Sequence, residues 1–360
     1  MPKLCAGCVK LCSSFGLLGG DNEELAALNA QLDGLSALPA ASLSAEADSM
    51  GTVVVLRCGG AKARLSLFGA HLLSWKDGTT GEDEERLWMS GLSALDGSAP
   101  IRGGVPIAFP QFADQGPLPL HGFARTAVWA VDDAGTSASS VGSTGSGPEV
   151  TLALTMSDDA ATRASAWGEH RFRLTYVVKL TPTTLRMSLR VANVGAAPFR
   201  WSGCLHTYLR AADSAKVRVR GLRGLTYTDK VAAMELREEA EEALALADAS
   251  AASGGFVDRI YHHEAGGGAA GHDPVLHWDE SGAAAALTVT QSTNWTDTVV
   301  FNPWEKGKKG AKGPDFDDDG YKYLLCLEPA VAKEQITLEP GADWIGWQEL
   351  AVGFPTTADL

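Results

Sequence analysis

The sequence predicts an all-β protein, a large antiparallel β-sandwich, from three observations. From residue 52 onward, apolar and polar residues alternate with a period of two in many short runs. Gly-Gly, Gly-Ala and similar turn signals separate those runs. Strongly periodic helix is scarce. A long series of short strands with turns between them closes as a sandwich or barrel, and such folds often exceed the usual domain size as a single unit. The expected division is a flexible N-terminal extension over residues 1–50 and one β-sandwich domain over residues 51–360.

The extension opens with Cys5-x-x-Cys8-x-x-x-Cys12. That spacing suits a metal, but no fourth ligand follows at a matching distance, so none is expected. EELAALNAQL (residues 23–32) has helical spacing and leads into an Ala/Ser-rich linker. The first residues lack an Arg-rich amphipathic pattern and acids begin at Asp21, so a mobile tail is the better reading and a plastid address stays open.

Beyond it, residues 52–58, 63–68 and 71–75 read as consecutive strands. Further strand-like runs cover residues 150–156, 172–180, 185–194, 199–201, 217–219, 286–291, 298–301, 323–327, 335–338 and 345–352. Four inserts of low complexity interrupt them. Residues 135–148 read as a flexible hairpin tip, 237–253 as a short Glu/Ala-rich helix, and 264–271 as a glycine-rich loop. Residues 306–320 place four lysines before four aspartates, a solvated charged loop with a lid over a pocket as the sharper alternative.

Composition bounds the function. With 360 residues and 45% hydrophobic content the chain can bury a large core. No stretch approaches the roughly 18–20 apolar residues of a membrane span, so no membrane partner is expected. The net charge of −14 argues against a nucleic-acid surface. Six scattered cysteines fit a reduced, cytoplasmic setting rather than a disulfide framework.

The chemistry concentrates in residues 101–129, IRGGVPIAFPQFADQGPLPLHGFARTAVW. Arg102, Gln111, His121 and Arg125 lie close together there, and two arginines flanking a histidine suggest an anion pocket beside a proton-exchanging group. Gly103–Gly104 and Pro106 fit a tight turn bringing backbone close to a ligand. A Gly/Pro-rich surface loop with ordinary ion pairs is equally compatible with these residues alone. Elsewhere, His206 follows a strand in GCLHTYLR, Glu328 ends an apolar strand in LLCLEPA, and Asp258 borders apolar residues in VDRIY. A buried His and Glu facing each other would form a general acid/base pair. Pattern alone does not bring them together, and a hydrogen-bonded core histidine with a lysine-paired Glu328 fits as well.

The stretches RGGVPIAFPQF, LPLHGFAR, GCLHTYLR, YTDK, VDRIY, TVVFNPWEK, DDDGYKYLLCLEPA and WIGWQEL occur in this order. In them the chain resembles the hexose-6-phosphate mutarotases (glucose-6-phosphate 1-epimerases) of the aldose 1-epimerase superfamily, over about residues 53–352 without the inserts. The RGG and HGFAR pair separates this branch from the galactose mutarotases. Leu120 and Ala113 depart from the pattern, standing where glutamine and glycine are frequent. The resemblance implies a galactose-mutarotase-like sandwich with its site in a concave face. It implies Glu328 as base at the sugar O1 and His206 as acid at the ring oxygen. It further implies Asp258 on sugar hydroxyls, His121 near the ring, and Arg102, Arg125 and Gln111 on the 6-phosphate. No metal and no cofactor is implied. The expected partner is a hexose 6-phosphate, and the expected state a monomer. Trp201, Trp295 and Trp304 are read as core residues before sugar platforms, and Cys204 and Cys326 as inert buried thiols.

Overall fold

The computed structural model describes residues 22–35, 40–49, 51–79, 84–140, 147–252, 256–263, 275–280, 287–307 and 314–353. Cys5, Cys8, Cys12 and the glycine-rich insert at 264–271 lie outside these residues.

Among the described residues the strands form three antiparallel sheets of four, ten and eight strands. The ten-stranded sheet has Leu287–Gln291, Asp343–Val352, Thr184–Asn193, Phe172–Leu180 and Glu149–Ser157 as consecutive neighbours. The eight-stranded sheet runs Glu235–Glu238, Thr226–Asp229, Val257–His262, Asp297–Asn302, Leu324–Leu338, Phe199–Leu205 and Ile107–Ala108, with Tyr208–Arg210 also pairing on Leu324–Leu338. One buried cluster takes side chains from both large sheets, among them Leu152, Tyr176 and Met187 from one and Val300, Leu325 and Leu327 from the other. The core therefore lies between two facing sheets, as the alternating pattern requires.

Alternation also divides the eight-stranded sheet into two faces. Tyr261, Val300, Leu325 and Leu327 point into the main core. The intervening Ile260, Val299, Phe301 and Cys326 belong to two smaller apolar clusters on the opposite face. Because side chains two apart share a face, Glu328 joins Cys326 and Asp258 joins Ile260 on that second face. Register places Asp258 opposite Phe301, Phe301 opposite Cys326, and Cys326 opposite Tyr208, one row across four strands. A one-residue slip would turn this whole set into the core.

Most predicted strands are present, with two differences of substance. The runs at 323–327 and 335–338 form one strand, Leu324–Leu338. The segment 237–253, read as a helix, is in part strand (Glu235–Glu238 and Ala243–Ala245) and closes with a helix only over Leu246–Ala252.

The boundary expected at residue 50 falls inside a sheet. Ala41–Asp48 pairs residue for residue with Gly51–Cys58, from Ala41–Cys58 to Asp48–Gly51. Its Ala41, Leu43 and Ala45 are buried in the main core. The helix Asn22–Leu35 packs on that strand through a fully buried Leu32 and through Asn29, whose side chain bonds both backbone groups of Ala45. Small Ala and Ser residues carry too little hydrophobic contrast to display the period of two, yet their size suits a close strand–helix contact. Residues 22–48 thus belong to the folded unit.

Trp201 and Trp295 are fully buried against Trp344 at ring separations of 4.8 and 4.5 Å, so both are core residues. No helix among the described residues is long and apolar enough to cross a membrane.

Candidate active site

The 101–129 stretch is fastened alongside residues 206–208. The amide of His206 donates to Pro106 O and that of Tyr208 to Gly104 O, both at 2.9 Å. This approach needs Gly103 and Gly104. Both have positive φ, and a Cβ on Gly104 would stand 2.2 Å from Leu72 O. The close backbone approach expected here is made to the protein's own chain, at Leu72 and at Trp88–Met89, and not to a ligand; it accompanies the contact of Arg102 with Tyr208.

His206 and Glu328 face each other, with Nδ1 and Oε1 3.2 Å apart. The approach is close but not aligned as a hydrogen bond, since Nδ1 has no such partner. The imidazole stacks flat on Tyr208 at 4.5 Å and 5°, and His121 meets its edge at 5.3 Å. Two rings therefore fix its orientation. Glu328 is 2% exposed, and its other oxygen accepts the Cys204 thiol at 3.3 Å. Burial pushes the Glu328 carboxyl up to about 8, with the Asp258 charge adding to the rise while Cys204 and Lys230 oppose it. Burial also drives His206 well below its ordinary value, helped by His121, Arg102 and Arg125. Both shifts disfavour the charged forms of this buried pair, the carboxylate and the imidazolium.

His121 sits at φ 63°, and its Nδ1 accepts from the Ala113 amide at 3.2 Å. The proton of its neutral ring thus lies on Nε2, making that nitrogen a donor. Burial, then Arg125, Lys230 and Arg102, lower its pKa to about 3.

Arg102 and Arg125 line one cleft of about 390 Å³ with Leu120, Ile101, Pro314 and Asp315. Arg102 is gripped by Asp315 through Nε at 3.0 Å and Nη2 at 3.4 Å, and its Nη1 reaches the Tyr208 hydroxyl at 3.5 Å. Arg125 donates one Nη2 bond to Leu120 O at 2.6 Å, while its Nε is buried without a hydrogen-bond partner. Burial lowers its pKa, and Arg102 beside it adds to the effect despite Tyr208. Two guanidiniums in one cleft, one with an unmet donor, make an anion-seeking arrangement.

Gln111 departs from expectation. Its amide donates to Ala113 O and Leu118 O and accepts from Leu118 N, so it is committed to holding its own loop and not to a phosphate. Asp258 lies on the site face and pairs with Lys230 at 2.9 Å, and burial raises its pKa. Lys230, Tyr208 and Asp315 are site residues that sequence reasoning did not assign. Lys230 ends YTDK, so its motif was visible while its role was not. The charged loop over 306–320 is not simply solvated. Its described part buries Phe316 against Trp88 at 5.2 Å, and Asp317 accepts from the Gly91 amide at 2.8 Å.

Comparison with known proteins shows the family and the fold. The family profile described as aldose 1-epimerase matches residues 52–351. A relative from Cenchrus ciliaris is 30% identical over 292 residues, 79% of each chain, and one from Escherichia coli is 32% identical over 283 residues, 76% of this chain and 81% of that one. Both are named "Putative glucose-6-phosphate 1-epimerase". The crystal structure of a "putative mutarotase" from Salmonella typhimurium superposes with a TM-score of 0.68 at 26% identity, covering 89% of this chain and 96% of that chain. A galactose mutarotase-like protein from Clostridium acetobutylicum shares the fold at a TM-score of 0.66 and 14% identity.

Proposed function

We propose that this chain, which belongs to the aldose 1-epimerase family, interconverts the α and β anomers of a hexose 6-phosphate, chiefly glucose 6-phosphate. The family supports anomer interconversion. The observation carrying the phosphate is the pair Arg102 and Arg125 in one cleft, linked to the His206–Glu328 pair through Tyr208, which Arg102 reaches and on which His206 stacks.

Anomerisation takes a proton from the C1 hydroxyl and delivers one to the ring oxygen. The C1–O5 bond breaks, the aldehyde turns about C1–C2, and the C5 hydroxyl adds to its other face as the protons return. A base and an acid that exchange roles suffice. Glu328 serves at O1 and His206 at O5, with His121 Nε2 and Asp258 on the ring hydroxyls. For this the shared proton must sit on His206 when substrate is bound. Burial is the largest cause of the fall in the His206 pKa, and Arg102 and Arg125 add to it; the negative charge of a 6-phosphate offsets that added part. Arg102 and Arg125 offer the planar forks that a phosphate accepts in pairs.

The test is anomer-exchange NMR on glucose 6-phosphate and glucose side by side, for wild type, Arg102→Ala and Arg125→Ala. Losing one charge-assisted phosphate partner costs roughly 1.5–3 kcal/mol, or about ten- to a hundredfold. Each variant should lose that much on glucose 6-phosphate and little on glucose. Equal losses on both sugars would move the assignment to an epimerase of free aldoses.

A further inference from the structure

The acid/base pair belongs to a set of three donor residues whose third member, Cys326, proton transfer does not use. Cys326 and Glu328 stand two apart on Leu324–Leu338 and so share a face. His206 is brought over them by the end of Phe199–Leu205. A ring nitrogen of His206, Sγ of Cys326 and a carboxylate oxygen of Glu328 all lie within 4.8 Å of one another. We propose that these three residues form an inhibitory binding site for a borderline-soft divalent cation, zinc above all, which closes the enzyme by occupying its acid/base pair.

Four features favour the assignment. Tetrahedral zinc with bonds of about 2.0–2.1 Å to nitrogen and oxygen holds such ligands about 3.3 Å apart, and His206 Nδ1 stands 3.2 Å from Glu328 Oε1. That nitrogen has no hydrogen-bond partner to surrender. The second Glu328 oxygen already accepts the Cys204 thiol, the kind of outer partner that orients a ligating carboxylate. The donors are mixed nitrogen, sulfur and oxygen, which suits zinc or cobalt and not magnesium or calcium. Cys326 Sγ, within 4.8 Å of the other two donors, then completes the set by moving in to a bond near 2.3 Å. On coordination the Cys326 thiol proton and the Glu328 carboxyl proton both pass to solvent. Thiolate and carboxylate neutralise the ion, and water fills the fourth position. Burial, then the Glu328 charge, push the Cys326 thiol well above its ordinary value, with Arg102 opposing them; that cost, and the repulsion between Arg102 and an incoming cation, make the site weaker than a structural zinc centre. His206 is the partly exposed member, at 13% of its side chain, and marks the side from which the ion enters.

Two arms test the proposal, and the first requires no catalysis. Cobalt is titrated into full-length protein in which Cys5, Cys8 and Cys12 are serine, removing that competing thiol cluster. A thiolate-to-cobalt absorption band should appear at one equivalent and vanish on adding zinc. It should be absent in the further variant Cys326→Ser and retained in Cys58→Ser. In the second arm, which rests on the epimerase reading, zinc at about ten times its dissociation constant should slow glucose 6-phosphate exchange about tenfold at low substrate. Saturating substrate should relieve the inhibition, and Cys326→Ser should exchange within about threefold of wild type yet escape it. If Cys326→Ser fails to fold, suppression of the wild-type band by glucose 6-phosphate stands in for it. No band, or a band indifferent to both Cys326 and sugar phosphate, overturns the proposal. A band without any sugar exchange would instead sink the epimerase reading while leaving the metal site in place.

Discussion

Asp315 occupies the fork of Arg102 that the proposed function assigns to a 6-phosphate, so on that reading Asp315→Asn should tighten phosphate binding while loosening the fold. The pair is bidentate and about one-fifth exposed, at 23% for Arg102 and 20% for Asp315. Charged hydrogen bonds contribute roughly 1.5–3 kcal/mol, and exposed ion pairs about 0–1 kcal/mol. Screening on the open side places this pair near 1 kcal/mol, about fivefold in affinity. A phosphate displacing Asp315 must overcome that amount, and asparagine removes the competing charge. Calorimetric titration with inorganic phosphate and with glucose 6-phosphate should show dissociation constants about fivefold lower in the variant. Its melting temperature should fall by about 2 °C, since the ligand-free protein loses the pair. Opposite signs for affinity and stability are the signature of a displaced placeholder. If both decline together, Asp315 aims Arg102 at the phosphate, and the displacement argument fails.

Glu328→Gln and His206→Ala should each lower kcat by roughly 10²–10⁴-fold, with sugar-phosphate binding retained in the Gln variant; near-wild-type exchange by NMR would remove Glu328 as base. Because burial raises the Glu328 carboxyl to about 8 from an ordinary 4.5, the folded state holds more protons than the unfolded between those values. The contribution of Glu328 to stability is thus fully present below about pH 4.5 and declines as pH rises through about 8, so denaturant titrations should find Glu328→Gln gaining on wild type from pH 5 to 9. His71, pushed by burial down to about 4, has the opposite sense, and its contribution is lost as pH falls from about 6.5 toward 4. Acidification to pH 5 should therefore destabilise wild type more than His71→Gln. Leu32→Ala should cost about 2–5 kcal/mol by urea unfolding, the usual penalty for a buried leucine, whereas a dispensable N-terminal tail would show no change.

What the sequence displayed best was whatever obeys a period. Phe172–Leu180 has the predicted bounds because every second residue enters the core, giving a burial pattern that alternates along all nine positions. The same rule sorts the catalytic strand once the structure pairs it. Leu325 and Leu327 go to the core, and Cys326 and Glu328 to the other face. Since both faces of that strand are covered, its residues are apolar almost throughout, and the run LLCLEPAVA reveals burial without revealing which side holds the site. Glu328 was still conspicuous, because an ionisable group at 2% exposure within such a run requires a reason.

The unread part consisted of contacts between distant segments and of bonds made by backbone. Arg102 meets Asp315 across 213 positions and His206 meets Glu328 across 122, separations for which local pattern has no expression. Gln111 shows the converse error. A polar side chain between two arginines suggested a ligand, yet three backbone groups within seven residues satisfy it first. Such local satisfaction has a functional consequence here. With Gln111 committed to its loop and Leu120 lining the cleft, a 6-phosphate of the proposed substrate would be held chiefly by guanidiniums, and of the two cleft arginines Arg125 has a buried N–H without a hydrogen-bond partner. An unmet buried N–H costs about 1–3 kcal/mol in the ligand-free protein. A phosphate that accepts it recovers that cost in addition to its own charge attraction, whereas a free sugar with no group at that end cannot. On the proposed hexose-6-phosphate reading, discrimination for the phosphorylated sugar therefore draws on the unpaired N–H of Arg125 as well as on its charge.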